Sequence, residues 1–415
     1  MAGMHVGTEN AEAAMIRNFK VLSHHELNGF GGLGEGMAIQ IAADGRRILW
    51  LAHEAAPKNF TAVDVSDPRQ PKVVVQTDLP QPYMRSNSLD IVGNIMTVAY
   101  QCKAQGQQPA GFEIFDISVP ENPRSISFFD CSGPHSRGVH QLWFCDGEYV
   151  HLSGGAPDFQ SYHKGDDQFY RIIDVRNPSK PEEVGRWWLP GVRVGDDAPQ
   201  PVRHEGKADK GMRVHNTNVY PQRPDRAYLG CVDAGMIILD ISDKAHPKQI
   251  ARWDNSPPFW GFTHTVMPLF ERDLIITTDE STFDAAEDWP KLVWILDARD
   301  ETNPVPISTC PMPPRDSFAG RGGRFGAHNI HENAPHPNAW RSDQVIIGTF
   351  FNGGLRAFDI SNPFQPFEIA HFVPAAPALA PTGAIQLNDV FVDERGVVYT
   401  VDRAVGGLYT LEMDF

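Results

Sequence analysis

The chain repeats one short pattern of apolar and polar positions seven times. In each copy an apolar run ends in an acidic residue, and a turn bracketed by proline then leads into a second apolar run, as between Phe112 and Pro123. Short apolar runs repeated roughly every 50 to 65 residues are typical of the blades of a β-propeller. The acidic residues that mark the copies are Asp64, Asp116, Asp174, Asp240, Asp297, Asp359 and Glu412.

Each repeat is predicted to contain four strands, A to D, counted from the propeller axis outward. In the sixth repeat, strand A is predicted at residues 327–333, B at 344–351, C at 355–360 and D at 367–373. Gly353 and Gly354 separate B from C and allow the positive φ of a tight turn. The remaining C strands are predicted at residues 61–65, 112–117, 170–175, 236–241, 293–298 and 408–413.

The seventh repeat has no strand D of its own, because its strand C is followed only by the last residues of the sequence. Residues 18–27 have the pattern of a strand D without a blade, so we expect them to pair with blade seven and close the ring. The sequence therefore predicts an all-β, seven-bladed β-propeller closed by an N-terminal outer strand in the last blade. A single domain is expected over residues 1–415, with residues 1–17 as an N-terminal extension.

The turn phrase Asp-Ile-Ser, followed five positions later by proline, occurs at Asp116–Pro123 and Asp240–Pro247. It resembles the LVIVD-repeat β-propeller family. The resemblance implies the fold and says little about chemistry, because the phrase lies on the outer half of each blade. We expect its aspartate to cap the turn by accepting backbone N–H groups.

Composition limits the kinds of partner. The formal charge of −16 disfavours binding to nucleic acid or to an anionic membrane surface. No secretory signal is apparent at the N-terminus, and no apolar run reaches the roughly 18 residues of a membrane span. Five cysteines without a C-x-x-C pair favour a reducing compartment. We expect a cytoplasmic protein that acts on a small-molecule substrate; the oligomeric state stays open.

Four consecutive blades place a histidine at one equivalent position, the start of strand A. Because strand A is innermost, these side chains are expected to meet on the axis, where neutral imidazoles suit a transition metal. A metal site with at least three of them is favoured over a polar pocket without metal and over polar packing around axial waters. The four predicted ligands are His140, His215, His264 and His328. Blades two and seven place Asn87 and Asn388 near the same position, and blade one places Met37 there, with Glu35 close by.

Acidic residues at the turns between strands B and C lie on the same face as the histidines. Glu54, Asp279 and Glu280 are predicted to orient the imidazoles or to act as a general base. The sequence leaves open whether His53 or His331 joins the site.

Three arginines precede predicted ligands by two to four residues. Arg137, Arg213 and Arg324 are candidates for holding a carboxylate or phenolate of the substrate. Salt bridges to the acidic loops are the alternative interpretation.

Three functions are consistent with these features. The first is a metal-dependent oxidoreductase or oxygenase with a divalent ion, iron being favoured and zinc or manganese being alternatives. Its ligand pattern is similar to that of the carotenoid-cleaving oxygenases, whose propellers hold iron with four histidines, and to that of the selenium-binding-protein propellers. The second is a redox-neutral hydrolase or lyase that acts on a lactone or ester or by elimination, with Glu54, Asp279 or Glu280 as base. The third is a propeller that recruits partner proteins and has no catalytic role.

Overall fold

The computed structural model describes residues 14–415, which form seven antiparallel sheets arranged as the blades of a β-propeller. Two strands precede the first blade, β1 (Met15–Arg17) and β2 (Phe19–His25). Blade one contains β3 (Leu33–Ile41), β4 (Arg47–His53), β5 (Lys58–Asp64) and β6 (Lys72–Asp78). Blade two contains β7 (Met84–Arg85), β8 (Leu89–Val92), β9 (Ile95–Cys102), β10 (Gly111–Asp116) and β11 (Arg124–Asp130).

Blades three to five each have four strands in sequential order from the axis outward. Blade three contains β12 (Val139–Trp143), β13 (Tyr149–Gly154), β14 (Phe169–Asp174) and β15 (Glu182–Trp187). Blade four contains β16 (Thr217–Tyr220), β17 (Arg223–Cys231), β18 (Gly235–Asp240) and β19 (Lys248–Trp253). Blade five contains β20 (Thr263–Leu269), β21 (Leu274–Asp279), β22 (Val293–Asp297) and β23 (Val305–Thr309).

The last two blades complete the ring. Blade six contains β24 (Val345–Thr349), β25 (Leu355–Asp359) and β26 (Phe367–Val373). Blade seven contains β27 (Leu387–Val392), β28 (Val397–Asp402) and β29 (Leu408–Met413). Helical turns are confined to the loops, at Leu27–Gly29, Lys164–Asp166, Gly206–Ala208, Phe270–Arg272, Arg315–Phe318 and Ala319–Arg321.

Burial explains why the inner strands are apolar without alternation. Strand β4 is buried along almost its whole length, because both faces of an inner strand pack against neighbouring blades. Strand β6, at the outer edge of the same blade, is exposed or half-buried throughout. The apolar core therefore lies between adjacent blades.

The turn aspartates have the capping role expected from the sequence. In six repeats the aspartate Oδ1 accepts the backbone N–H of the second following residue at 2.7–3.0 Å, as Asp64 does from Ser66 and Asp240 from Ser242. This hydrogen bond fixes the turn between strands C and D in a local Asx conformation. Glu412 differs, since its carboxylate pairs with Lys20 at 3.4 Å.

The predicted closure by an N-terminal strand is confirmed. Strand β2 pairs antiparallel with β29 from Phe19 opposite Met413 to His25 opposite Leu408. Ser23 and Thr410 hydroxyls lie 2.6 Å apart across this pair, and both donate to the Pro68 carbonyl in the adjacent blade. The ring is thus closed by backbone pairing and by a side-chain link to blade one.

Two details differ from the predicted layout. Met15–Arg17, assigned to an N-terminal extension, forms β1 and pairs with β26 as an added outer strand of blade six; residues 1–13 of that extension lie outside the described part of the chain. The predicted strand A at residues 327–333 is an irregular segment. It keeps hydrogen bonds from His328 N to Thr349 O and from His331 N to Ile347 O, but Asn333 has a φ of 51°, which ends the extended conformation.

In residues 14–415, none of the helices has the length and apolar character that crossing a membrane requires.

Candidate metal centre

The four histidines of the predicted site meet in one row at the axis. His140 lies in β12 and His264 in β20, whereas His215 and His328 lie in extended segments at the inner edges of blades four and six. All four side chains are buried. Ring centroids of neighbours in the row are 4.0–4.6 Å apart, so the imidazoles of four blades form one continuous row.

The Nε2 atoms of these rings point toward one another or toward carboxylates. His140 Nε2 lies 2.8 Å from His215 Nε2. This matches the separation of roughly 3 Å expected for two nitrogens that bind one ion at right angles, each at a distance of 2.0–2.1 Å. His264 Nε2 and His328 Nε2 are buried and have no hydrogen-bond partner among the described residues. Unpaired buried nitrogens are costly, so this region suits an electron-pair acceptor such as a cation.

The Nδ1 atoms on the far side of each ring all have oxygen partners. His328 Nδ1 lies 2.7 Å from the Asn388 backbone carbonyl, which can only accept, so this nitrogen carries the proton. The other three Nδ1 atoms lie 2.8–3.1 Å from side-chain oxygens of Gln101, Asn216 and Thr265. In His328 the proton on Nδ1 leaves the Nε2 lone pair free, which is the usual arrangement of a metal-binding histidine. His140 Nδ1 also lies 3.2 Å from Arg85 Nη2, which can only donate.

Glu35 completes the row on the side of blade one. Its carboxylate oxygens lie 3.6 Å from His264 Nε2 and 3.5 Å from His328 Nε2. The flanking Gly34 and Gly36 press against blade two, where an added Cβ would lie 2.6 Å from the Asn87 carbonyl oxygen and 2.3 Å from the Leu89 nitrogen. The register of β3 against β4 shifts between Leu33 and Met37. The close approach of two backbones and this bulge place Glu35 at the axis, in the position that strict strand alignment assigned to Met37.

Glu280 follows β21 and approaches the histidines from blade five. Its oxygens lie 3.8 Å from His215 Nε2 and 3.7 Å from His328 Nε2. Arg324 Nη1 donates to the same carboxylate at 2.7 Å, and the Arg324 guanidinium lies over the Phe351 ring at 5.3 Å. Glu280 and Arg324, both predicted site residues, are therefore beside the histidine row, and they form an ion pair.

Electrostatics favours a neutral His140, a neutral His215 and an ionised Glu280 at this site. Burial, with a further effect of His264, lowers the pKa of His215 to about 3. Burial and then His215 hold the pKa of His140 well below its usual range. Burial alone would raise the pKa of Glu280, but His328 and Arg324 outweigh it and lower that pKa to about 2. Neutral imidazoles beside an ionised carboxylate are the protonation states that a cation requires.

Glu35 and His264 behave as a buried pair. Burial would raise the pKa of Glu35, but its contacts with His264 and His328 hold it well below the usual value. The pKa of His264 is raised because the Glu35 contact outweighs burial. A bound cation would replace the proton of His264 as the positive partner of Glu35.

The donor atoms fit a transition metal. Within the described residues, ligand atoms of Glu35, His215 and His264 lie within 4.8 Å of one another, and so do those of His264, Glu280 and His328. Imidazole nitrogens with one or two carboxylates suit iron, zinc or manganese, and they disfavour magnesium, which prefers oxygen. Either group could therefore hold one divalent ion, and within the described residues His140 belongs to neither of them.

Several predicted site residues lie outside the row. Asp279 points into blade five, where it accepts from the Trp294 indole at 2.8 Å and from Asn255 at 2.9 Å. His53 Nε2 contacts Thr61 Oγ1 at 2.8 Å, and His331 Nε2 contacts the Trp340 carbonyl at 2.6 Å. Both histidines use their ring nitrogens within or between blades, so neither is among the axial nitrogens.

Glu54 and two of the predicted arginines lie on the rim of the site. Glu54 Oε1 accepts from Arg85 at 2.5 Å and from Arg403 at 2.6 Å. Arg137 makes a two-point ion pair with Asp167 at 2.6 and 2.8 Å. Arg213 donates to the Lys210 carbonyl and lies over the Phe262 ring at 5.7 Å.

A polar cavity of about 60 Å³ lies directly below the histidines and is lined by Glu35, Asp90, Glu332, His336 and Asp389 among others. It has room for about four waters at roughly 10–15 Å³ each. Burial raises the pKa of Glu332 and holds that of Asp389 well above its usual range. Glu332 Oε1 accepts a hydrogen bond from Asn216 Nδ2 at 2.9 Å, and Asn216 Oδ1 lies 2.8 Å from His215 Nδ1, so Asn216 connects Glu332 to His215.

Sequence reasoning gave no role to four residues that contact the row. Glu35 was noted only as a neighbour of Met37. The Gly34-Glu35-Gly36 run was the available signal, because glycine has no side chain and only Glu35 projects from these three positions. Arg403 Nη1 lies 3.7 Å from Glu35. Gln101 Oε1 and Arg85 Nη2 lie 3.1 and 3.2 Å from His140 Nδ1. Arg403 directly follows β28, as Glu280 follows β21, so its place at a turn between strands B and C was readable from the sequence. No local pattern marks Gln101 and Arg85, because each reaches His140 from a neighbouring blade.

Comparison with known protein families identifies LVIVD repeats in this chain. The LVIVD repeat model matches residues 167–188, which cover the two outer strands of blade three, and residues 225–255, which cover most of β17 and all of β18 and β19 in blade four. Neither matched range contains one of the four axial histidines, so the match supports the fold and leaves the site unassigned. No curated protein matches the sequence.

Proposed function

We propose that this propeller is a metal-dependent enzyme whose divalent ion is held by His140, His215, His264 and His328, with Glu35 and Glu280 beside them. The proposal rests on one observation above all: the Nε2 atoms of the four histidines face each other or Glu35 and Glu280, while each Nδ1 lies next to an oxygen. Structural histidines have no reason to share that orientation in four separate blades. Polar packing would instead pair the inward nitrogens with protein acceptors.

An oxidoreductase or oxygenase acting on a small organic substrate is the favoured class. A largely imidazole ligand set suits iron, and an iron ion would supply binding of dioxygen next to the substrate. The residues of this chain would orient the ion through the Nδ1 partners. They would also exclude water, since all four rings are buried. Arg324 would hold Glu280 ionised through their ion pair.

A redox-neutral hydrolase or lyase is the second candidate, and the position of Glu280 favours it. Its carboxylate is ionised beside the histidines and could accept a proton from a metal-bound water or from carbon next to a carbonyl. Glu280 is better placed for this role than Asp279 or Glu54, whose oxygens contact Trp294 and two arginines respectively.

Metal content of the purified protein tests the proposal. We expect one ion per chain in the wild type after loading with Fe²⁺, Mn²⁺ or Zn²⁺, and loss of that ion in His264→Ala and in His140→Ala. His331→Gln is the matched control, because this buried histidine lies three residues from His328 but bonds to backbone groups. If no ion binds, or if the three variants behave alike, the metal proposal is wrong and a recruiting scaffold is the better interpretation.

Metal preference separates the two classes. Retention of iron, with a new paramagnetic resonance signal when nitric oxide is added, would show an open coordination position and support the oxidoreductase. Selective retention of zinc or manganese would support the hydrolase or lyase.

A further inference from the structure

A pocket beside His140 has the features of an anion-binding site. Its volume is about 280 Å³, near the lower end of the size range of small-molecule sites, roughly 300–1,000 Å³. Its lining includes three cationic side chains, Arg85, Lys103 and Arg137, against one carboxylate, Glu54. On a chain with a net charge of −16, such a local excess of positive charge is unexpected.

The ion pairs around this pocket leave positive charge uncompensated. Glu54 is shared by Arg85 and Arg403, and Arg403 also lies 3.7 Å from Glu35. Asp167 compensates Arg137 alone. Lys103 Nζ has only a 3.4 Å contact with the Pro82 carbonyl and no carboxylate partner among the described residues.

Arg213 adds a further cation behind the pocket. Its charge acts on both Arg137 and His140, and burial followed by Arg137 lowers the pKa of Arg213. Its contacts within the described chain are the Lys210 carbonyl and the Phe262 ring, neither of which carries a formal charge. Asp167, Asp233 and Glu280 act on Arg213 by charge, but none of them forms an ion pair with it in the described part of the chain. A covered guanidinium group without an ion-pair partner favours the binding of an anion.

The pocket also adjoins the candidate metal centre. Arg85 and Gln101 line it and lie 3.2 and 3.1 Å from His140 Nδ1. Met84 and Cys102 supply apolar wall. A small molecule with its anionic end among the cations would lie on the Nδ1 side of His140, with Arg85 and Gln101 between it and the ring.

We propose that this pocket binds the carboxylate of an organic acid, so that the substrate of the enzyme is an organic anion. That the bound anion is a substrate rests on the proposed function, whereas anion binding itself needs no metal. Arg85, Lys103 and Arg137 are the residues that contact the carboxylate.

Benzoate and its neutral isostere benzamide test this site by isothermal titration calorimetry, with both metal-loaded and chelator-treated protein. We expect benzoate to bind to both forms with a Kd of about 1 mM or lower and benzamide to bind at least about tenfold more weakly. Affinity for benzoate should fall as salt rises, because the contacts are ionic.

Three variants identify the contacts. Lys103→Gln removes an exposed cation without stranding a partner, and Lys180→Gln makes the same change in net charge at a distant exposed turn. The double variant Arg137→Gln with Asp167→Asn removes a cation without changing net charge or leaving a buried carboxylate unpaired. We expect Lys103→Gln and the double variant each to weaken benzoate binding about tenfold and Lys180→Gln to leave it unchanged, with metal content unaffected in all three.

The two proposals fail in distinguishable ways. If benzoate binds only to metal-loaded protein and no variant weakens it, the anion sits on the ion and the pocket proposal is wrong. Absence of benzoate binding, or equal binding of benzamide, also overturns it. If the protein takes up no metal but benzoate binds with the expected variant pattern, the pocket stands and the proposed enzyme function falls.

Discussion

Gly230 holds the backbone of His264 in place, and substituting it should damage the candidate metal centre without touching a ligand. Gly230 lies in β17, next to the start of strand A in blade five. A Cβ at this position would lie 1.9 Å from the His264 carbonyl oxygen and 2.5 Å from its carbonyl carbon. Both are backbone atoms, so no side-chain rotation relieves the contact. In Gly230→Ala the two segments must separate by about 1 Å, because Cβ atoms are essentially never found closer than 3.0 Å to another heavy atom.

That displacement is large for a metal ligand and modest for a fold. Overpacking costs about 1–3 kcal/mol of stability. Ligand distances in metal sites are kept within roughly 0.2 Å, so a shift of His264 by several times that amount should weaken metal binding. We expect Gly230→Ala to lower metal affinity by about 10–100-fold, the range found when groups that support ligands are altered.

Gly185 offers a matched control. In Gly185→Ala the new Cβ would lie 1.7 Å from the Lys244 carbonyl oxygen, an equally severe backbone contact, but one on the outer strand β15. Both variants should lose stability in chemical denaturation, and only Gly230→Ala should lose metal affinity in competition titrations with a chelator. If both variants keep wild-type affinity to within about twofold, a difference of only about 0.4 kcal/mol, then the backbone position of His264 does not set the site and our reasoning is wrong.

Three further outcomes are expected. Thr265→Val removes the oxygen at 2.8 Å from His264 Nδ1 and should weaken metal binding about 10–100-fold. Thr278→Val is the control and should leave metal affinity unchanged, because Thr278 Oγ1 has no hydrogen-bond partner among the described residues. Equal affinities of the two variants in a chelator competition would contradict this. Phe19 is a buried residue of the closing strand β2 and packs edge-on against Phe415 at 5.6 Å, so Phe19→Ala should lower the free energy of unfolding in urea by about 3–5 kcal/mol. Lys20→Ala, at an exposed position of the same strand, should change it by less than about 0.5 kcal/mol. Burial would lower the pKa of His336, but the charge of Asp90 at 2.7 Å raises it, so this ion pair stabilises the fold below about pH 6.5 and the gain is lost as the pH rises through the raised pKa. The free energy of unfolding of wild type should therefore exceed that of His336→Gln by about 2 kcal/mol near pH 6 and by less near pH 9. Equal differences at the two pH values would refute the assignment.

Much of the architecture was predictable because it depends on short-range patterns. Asp240 and its counterparts cap turns through the second following residue, and that contact is contained within three positions of sequence. The C strands were placed within a few residues of their observed bounds; that of blade seven, Leu408–Met413, matches the prediction. The unmatched strand pattern at residues 18–27 predicted the pairing of β2 with β29, because a propeller with one three-stranded blade would leave open edges.

The details of the candidate site were less accessible, and the limit has a physical cause. Register along a strand places four histidines on the axis, because each repeat brings the same position to the same height. The direction of a neighbouring acidic side chain depends instead on atoms from other blades. Asp279 turns outward because Trp294 and Asn255 offer donors there, while Glu280, one residue later, faces the histidines.

Local periodicity in this chain thus specified the blades and their turns, which follow from contacts between residues close in sequence. It also predicted the row of imidazoles, because the repeat brings the same position of several blades to the axis. The position of Glu35, the sharing of Glu54 by Arg85 and Arg403, and the cationic pocket beside His140 emerged from packing between blades. Those contacts join residues up to 349 positions apart, and no pattern within a single repeat encodes which of them will meet.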